Sequence, residues 1–141
     1  YRSRISGPIL DRIDLHVWVD PVEVSKLTSP MTNDQLSMTN EDSKKIRERV
    51  MRARERQAAR FSANKGMYTN AQMGNKQVKQ HCPLSPEVKE FLNAAARKFD
   101  LSARAYFKVI KVARTIADLA GEEDILVSHI AEAVQYRENV W

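Results

Sequence analysis

The stretch LSARAYFKVIKVARTIADLAG, residues 101–121, predicts a long amphipathic helix and, through it, a helical fold. Ser102 is a favourable N-cap, because its hydroxyl can accept from a free backbone N–H, and Gly121 suits the C′ position that follows a helix. Apolar side chains recur every three or four positions, which is the spacing of one helix face. That face comprises Tyr106, Val109, Ile110, Ala113, Ala117 and Ala120.

The flanking sequence predicts more helices. One runs from about residue 41 to 60, followed by a loop at 64–75 and a short helix at about 75–81. Ser85 and Pro86 open the next helix as N-cap and first residue, and a last helix opens at Ser128. We therefore expect residues 41–141 to form a helical bundle with short connections. The apolar stripe of the first helix comprises Ile46, Val50, Ala53, Gln57 or Ala58, and Phe61.

The sequence before this bundle differs in character. Apolar residues alternate over 13–19, and Pro21 ends the run, which predicts a strand with one buried face. A lone strand is not stable, so its sheet partners must lie elsewhere in a longer protein. Residues 23–40 are polar and contain Pro30, as expected for a linker. The alternating positions are Ile13, Leu15, Val17 and Val19.

Composition limits the class of protein. The chain has 141 residues, 43% apolar and 29% charged, which is enough to bury one core. It starts at Tyr1 rather than Met, so we expect a piece of a longer protein, and no apolar run approaches the roughly 20 residues of a membrane span. The single Cys82 excludes an internal disulfide and fits a reducing, cytoplasmic location.

Charge is concentrated in the middle of the chain. The net charge is +5, but residues 39–84 carry eleven lysines and arginines against four acidic residues. Such a basic face can contact phosphate groups or an acidic partner, and it can equally be a solvated helix face. The residues that we assign to a DNA or subunit interface are Lys44, Lys45, Arg49, Arg52, Arg56 and Arg60.

Motifs for catalysis are absent, and two arginines stand out instead. There is no phosphate loop of the G-x-x-x-x-G-K-[ST] type and no zinc-type spacing around His81 and Cys82, so no metal site is expected. Arg12 lies between Asp11 and Asp14, where it forms a structural ion pair or points to a partner outside the chain. Arg104 follows the Ser102 cap in the first helical turn, where the helix dipole disfavours a cation. It is either a tolerated surface arginine or a phosphate ligand.

Several motifs resemble the ComM-like (YifB-like) branch of the magnesium-chelatase AAA+ family. They are RISGPILDRIDLHVWV at 4–19, IRERVMRARERQAARF at 46–61, NAQM at 70–73, and the stretch from Leu101 to Arg137. Phe107 and Lys108 depart from the family pattern, which has His-Arg there. The resemblance implies the end of an AAA+ core at 1–22, a linker at 23–40 and a helical lid domain at 41–141.

The resemblance also implies roles for the arginines. Arg12 would be the arginine finger that reaches the ATP site of a neighbouring subunit, oriented by Asp11 and Asp14. Arg104 would be the sensor 2 arginine at the γ-phosphate, and Arg4 is a weaker phosphate or interface candidate. The strand at 13–19 would be the last strand of the core sheet, which explains its missing partners.

The resemblance implies a function for the full-length protein. It would be a hexameric ATPase that uses ATP and Mg²⁺, with the missing core and identical subunits as partners. It would act as a DNA branch-migration helicase in DNA uptake and recombination. The chain itself lacks the phosphate loop, so we expect it to be non-catalytic and to bind no cofactor alone. Two alternatives stay open: a magnesium chelatase ATPase subunit that inserts metal into a porphyrin, and a stand-alone helical nucleic-acid-binding module.

Overall fold

Five α-helices make up the body of the computed structural model, which describes residues 9, 11–17, 19, 21, 42–64 and 66–138. A 3₁₀ turn, Asn70–Gln72, lies between the first two helices. The predicted mainly helical fold is thus confirmed for the described part of the chain. The helices are α1 (Ser43–Arg60), α2 (Asn75–His81), α3 (Pro86–Lys98), α4 (Ala103–Ala120) and α5 (Val127–Glu138).

Local capping sets the ends of these helices, largely as predicted. Ser85 Oγ accepts from the N–H of Val88 at 3.3 Å, and Ser102 Oγ accepts from the N–H of Ala105 at 3.1 Å. Gly121 adopts the left-handed conformation, with φ of 85°, at the end of α4. Each cap satisfies backbone groups that the helix end would otherwise leave unpaired.

Helix α4 lies at the centre of the fold. It packs against α5, α1, α2 and the 3₁₀ turn, and its residues Val109, Ala113 and Ala117 are completely buried. Leu92 of α3 and Ile130 of α5 are completely buried in the same core. The apolar face that the sequence of residues 101–121 predicts is therefore the face that α4 buries against its neighbours in the bundle.

Only part of the apolar stripe of α1 is buried. Ala53 and Phe61 are buried, but Ile46 and Val50 are 41% and 42% exposed. Every side chain from residue 43 to 52 is exposed, so the N-terminal half of α1 stands away from the core. The helical period predicts which side chains share a face, but the reach of the neighbouring helices decides how much of it is covered.

The predicted strand is not formed in the described residues of 13–19. Residues 13, 15–17 and 19 have no regular secondary structure, and the apolar side chains of Val17 and Val19 are 69% and 83% exposed. No second strand is present in the described ranges to complete a ladder, and an unpaired strand has no hydrogen bonds to hold it extended. Arg4, the linker at 23–40 and the ends of the proposed core segment lie outside the described residues.

Candidate functional site

A short turn comprising residues 11–14, here called the Arg12 turn, lies against the helical body. Inside the turn region the N–H of Arg12 donates to the carbonyl of Ile9 at 2.9 Å. Asp11 Oδ2 accepts from Ser102 Oγ at 2.8 Å, so the N-cap of α4 also holds the turn. Because that hydroxyl donates to Asp11 while it accepts from the N–H of Ala105, one serine caps the helix and anchors the turn at once.

Two cations of the helices complete the anchoring. Lys108 Nζ lies 2.6 Å from Asp14 Oδ1 and donates to the carbonyl of Arg12 at 2.5 Å. Arg137 Nη2 donates to the carbonyl of Ile13 at 2.9 Å, and Arg137 Nη1 lies 3.8 Å from Asp11 Oδ1. The two aspartates therefore bind the turn to α4 and α5 on either side of the exposed Arg12.

Arg137 is the most buried of these anchors. Its side chain is 7% exposed, and burial lowers the pKa of the guanidinium while the nearby carboxylates of Asp11 and Asp14 oppose that shift. The group remains charged, because an arginine pKa is too high for deprotonation in a protein. A buried cation needs anionic and carbonyl partners, and the Arg12 turn supplies both.

Arg104 lies on α4 between the two points where the Arg12 turn contacts that helix. It follows Ser102 by two residues and precedes Lys108 by one helical turn, so Arg104 and Lys108 share a helix face. The Arg104 side chain is exposed and makes no hydrogen bond or ion pair with any residue that the structure describes. The predicted place in the first turn of α4 is confirmed, and its role stays a prediction.

The basic residues of α1 divide into two groups. Arg49, Arg52 and Arg56 line a groove of about 650 Å³, here called the arginine groove, whose other wall is the end of α4 near Gly121. Arg56 Nη2 donates to the Gly121 carbonyl at 2.7 Å and so caps α4. Lys44 and Lys45 are exposed in the first turn of α1.

Arg60, by contrast, belongs to a buried polar cluster that we call the Asp118 network. Asp118 Oδ1 lies 2.6 Å from Arg60 Nη2 and 3.2 Å from Arg114 Nη2. Asn70 Nδ2 donates to Asp118 Oδ2 at 2.8 Å, while Asn70 Oδ1 accepts from Arg60 Nη1 at 2.8 Å. The guanidinium of Arg60 therefore ties α1, the 3₁₀ turn and α4 together. The network comprises Arg60, Asn70, Arg114 and Asp118.

Sequence reasoning missed most of this network. Arg114 and Asp118 follow directly after the buried Ala113 and Ala117 of the apolar face, and their i,i+4 spacing was the available signal. The hydrogen bonds that Arg60 donates to Asp118 raise the pKa of Arg60, whereas burial lowers the pKa of Arg114. Both guanidinium groups remain charged.

Sites of other kinds find little support in the described residues. Cys82 is buried, and desolvation raises the pKa of its thiol to about 11, which disfavours the thiolate that a nucleophile needs. Over the described ranges, no three histidine, cysteine or acidic side chains come together in a way that could hold a metal ion. Of the helices described, none has both the length and the apolar content to cross a membrane.

Comparison with known proteins gives a consistent result. Residues 40–137 match the family described as magnesium chelatase, subunit ChlI C-terminal. Over 97% of this chain, the sequence is 41% identical to competence protein ComM of Haemophilus influenzae and 37% identical to uncharacterized protein YifB of Escherichia coli. An uncharacterized protein of Mycobacterium tuberculosis is 28% identical over 98% of the chain. The chain spans 25% of the length of the first two relatives.

Proposed function

The chain belongs to the magnesium chelatase family, in its ComM-like and YifB-like branch, and we propose that it is the lid and subunit-interface part of a ring-shaped ATPase that acts on DNA. The ATPase core of the same protein and identical subunits, in a hexamer, would be its partners in the cytoplasm. One relative is named a competence protein, which supports a role in DNA uptake. Branch migration during uptake and recombination is what the resemblance to the ComM-like branch implies, and we propose it as the activity. The chain alone would not hydrolyse ATP and would bind no cofactor.

One observation carries this proposal: the Arg12 turn is held against the part of α4 that bears Arg104. Ser102 and Lys108, on either side of Arg104, both contact the turn. The exposed guanidinium groups of Arg12 and Arg104 therefore belong to a turn and a helix that contact each other. Guanidinium groups bind phosphate oxygens well, because their planar N–H donors match the geometry of phosphate. Arg104 lies at a helix N-terminus and pairs with no residue among those that the structure describes, which fits a phosphate ligand in particular.

The chemistry that follows is charge stabilisation. Bound ATP with Mg²⁺ supplies the γ-phosphoryl group, which is transferred to water. Arg12 would place a positive charge beside that group from a neighbouring subunit, and arginine fingers contribute about 10³- to 10⁵-fold to the rate. Arg104 would contact the same group from the start of α4. The described part of this chain offers no acidic cluster for Mg²⁺, so the metal ligands would come from the core.

The test is DNA-stimulated ATP hydrolysis by the full-length protein with Arg12→Ala and Arg104→Ala introduced separately. We expect each variant to lose at least about 100-fold in kcat while still assembling into rings. The matched control is Arg97→Ala, which removes an exposed arginine from the end of α3. Unchanged turnover in Arg12→Ala would refute the finger assignment. Stimulation by a porphyrin substrate instead of DNA would favour the chelatase alternative.

The arginine groove supports a second candidate function, direct contact with the DNA backbone. Arg49, Arg52 and Arg56 lie along one face of α1 at spacings of three and four. Arg49 and Arg52 would contact phosphates, whereas the guanidinium of Arg56 binds the carbonyls of Gly121 and Glu122. The stand-alone binding module predicted from composition would use the same groove together with Lys44 and Lys45. Arg60 would contribute nothing directly, because Asp118 holds its guanidinium.

This candidate is tested by measuring the affinity of the 141-residue chain for duplex DNA across a series of salt concentrations. Each phosphate contact contributes about −0.9 to the slope of log affinity against log salt. We therefore expect Arg49→Gln with Arg52→Gln to flatten the slope by roughly two. Lys89→Gln on α3 is the control. Absence of binding at low salt would remove the stand-alone module and leave the ring ATPase in place.

A further inference from the structure

Two cations of the helical body hold the Arg12 turn, and the proposed function assigns a role to neither. We propose that Lys108 and Arg137 are positioning residues for Arg12, which clamp its turn onto α4 and α5 and present Arg12 beside Arg104. The inference rests on the proposed function, since the arginine being positioned is the proposed finger.

Lys108 makes the contact nearest to Arg12. Its ammonium group binds the Asp14 carboxylate at 2.6 Å and the Arg12 carbonyl at 2.5 Å. The Lys108 side chain is 15% exposed, whereas the Asp14 side chain is 56% exposed, so solvent reaches this pair from the side of the carboxylate. Lys108 of α4 thereby binds the backbone carbonyl of Arg12 and the side-chain carboxylate of Asp14, two positions later.

Arg137 makes the second contact, from the far end of α5. Its guanidinium spans the carbonyl of Ile13 and the carboxylate of Asp11, and Asp11 in turn accepts from Ser102 at the start of α4. The neighbouring N–H of His16 donates to the Tyr136 carbonyl at 2.9 Å. The turn therefore bridges the N-terminus of α4 and the C-terminus of α5.

Hydrophobic burial does not explain why the turn stays in place. Ile13, Leu15 and Val17 are each more than 40% exposed, so their burial against the bundle contributes little. No strand ladder fixes these residues within the described part of the chain. The polar contacts of Lys108, Arg137 and Ser102 therefore contribute to where the Arg12 turn lies.

The positioning role can be separated from a purely structural one with Lys108→Met and Lys108→Arg. Methionine keeps the helix propensity and apolar stem but cannot bind Asp14 or the Arg12 carbonyl, whereas arginine retains charge and donors. Arg137→Met is the corresponding change on α5. Lys89→Met, an exposed lysine on α3, is the matched control. Amide hydrogen exchange and steady-state ATPase kinetics are measured on each variant of the full-length protein.

We expect Lys108→Met and Arg137→Met to raise exchange of the His16 amide about tenfold or more, without changing exchange in the core of α4. Displacement of a catalytic group by an ångström can cost about 100-fold, so we expect kcat to fall by roughly 10- to 100-fold with little change in KM. Lys108→Arg should restore most of kcat. Arg12→Ala added to Lys108→Met should cost much less than Arg12→Ala alone, because Arg12 is already misplaced.

The failure of this inference and that of the proposed function give different results. If Arg12→Ala abolishes turnover but Lys108→Met and Arg137→Met keep kcat within twofold, the positioning inference is wrong and the proposed function stands. Unchanged exchange at His16 in both methionine variants would also overturn it, since the clamp would not hold the turn. If Arg12→Ala itself leaves kcat unchanged, both the finger assignment and the inference built on it fall.

Discussion

Asp118→Ala should be among the most destabilising single substitutions in the helical body. The Asp118 side chain is completely buried and accepts hydrogen bonds from Arg60 at 2.6 and 2.8 Å and from Asn70 at 2.8 Å. Its removal leaves Arg60 and Arg114 in the interior without a counter-charge, at side-chain exposures of 16% and 3%. Breaking a buried pair in this way costs about 3–5 kcal/mol. That is a large part of the roughly 5–15 kcal/mol that stabilise a typical domain.

Urea denaturation of the 141-residue chain, followed by far-UV circular dichroism, measures this loss. With a denaturant dependence of about 1–3 kcal/mol per molar, the midpoint should fall by roughly 2 M. Asp124→Ala is the control, because it removes an exposed carboxylate from the α4–α5 loop and should change stability by less than about 0.5 kcal/mol. A double-mutant cycle with Arg60→Met should show strong coupling to Asp118.

One result would refute the reasoning. If Asp118→Ala costs less than about 1 kcal/mol, the pair behaves like a solvent-exposed ion pair, and the Asp118 network does not hold α1 against α4. Asp118→Asn sharpens the test, because it keeps the side-chain volume but removes the charge and replaces one acceptor oxygen with an NH₂ group that faces donors. A large loss in alanine with none in asparagine would assign the effect to packing rather than to charge.

Two further predictions concern other parts of the body. Burial raises the Cys82 pKa from 9.0 to about 11, so between these pH values the unfolded chain releases a proton that the folded chain retains, and stability falls. Urea titrations across this pH range measure the free energy of unfolding of the parent and of Cys82→Ala. Between the two pH values, this free energy should fall by up to about 2–3 kcal/mol more in the parent than in the variant. An equal pH dependence in both proteins would contradict the prediction. Gly121→Ala should cost about 1–2 kcal/mol, because φ is 85° at a position where Arg56 Nη2, 3.8 Å away, leaves room for a methyl group. A thermal melt unchanged from the parent would show that the end of α4 rearranges.

The sequence by itself determined the helices, because the forces that define them act over a few residues. Capping hydroxyls lie three positions before the N–H groups that they bind, and an apolar face repeats every three or four residues. The predicted short helix at about 75–81 is found at Asn75–His81, and the Ser102 and Gly121 boundaries of α4 hold as expected. These features need no knowledge of what the helix packs against.

The sequence also identified Arg12 and Arg104 as unusual residues. It did not predict which side chains surround them. Arg12 lies between two aspartates, and Arg104 breaks the dipole preference of its helix. Neither observation shows that Asp11 binds Ser102 and Arg137, or that Asp14 binds Lys108, since these partners lie about 90 to 125 positions away in the chain. Lys108 drew notice only as a departure from a family pattern.

The tertiary structure alone decided which charges are buried and which segments find partners. Arg60 belongs by sequence to the same basic face as Arg56, yet Arg60 is enclosed because the 3₁₀ turn brings Asn70 against α4 beside it. The alternating run at 13–19 has the pattern of a strand but no neighbour to pair with in the described residues. Helix geometry is satisfied by the chain's own hydrogen bonds, whereas a strand or a buried ion pair depends on groups that only the fold brings together.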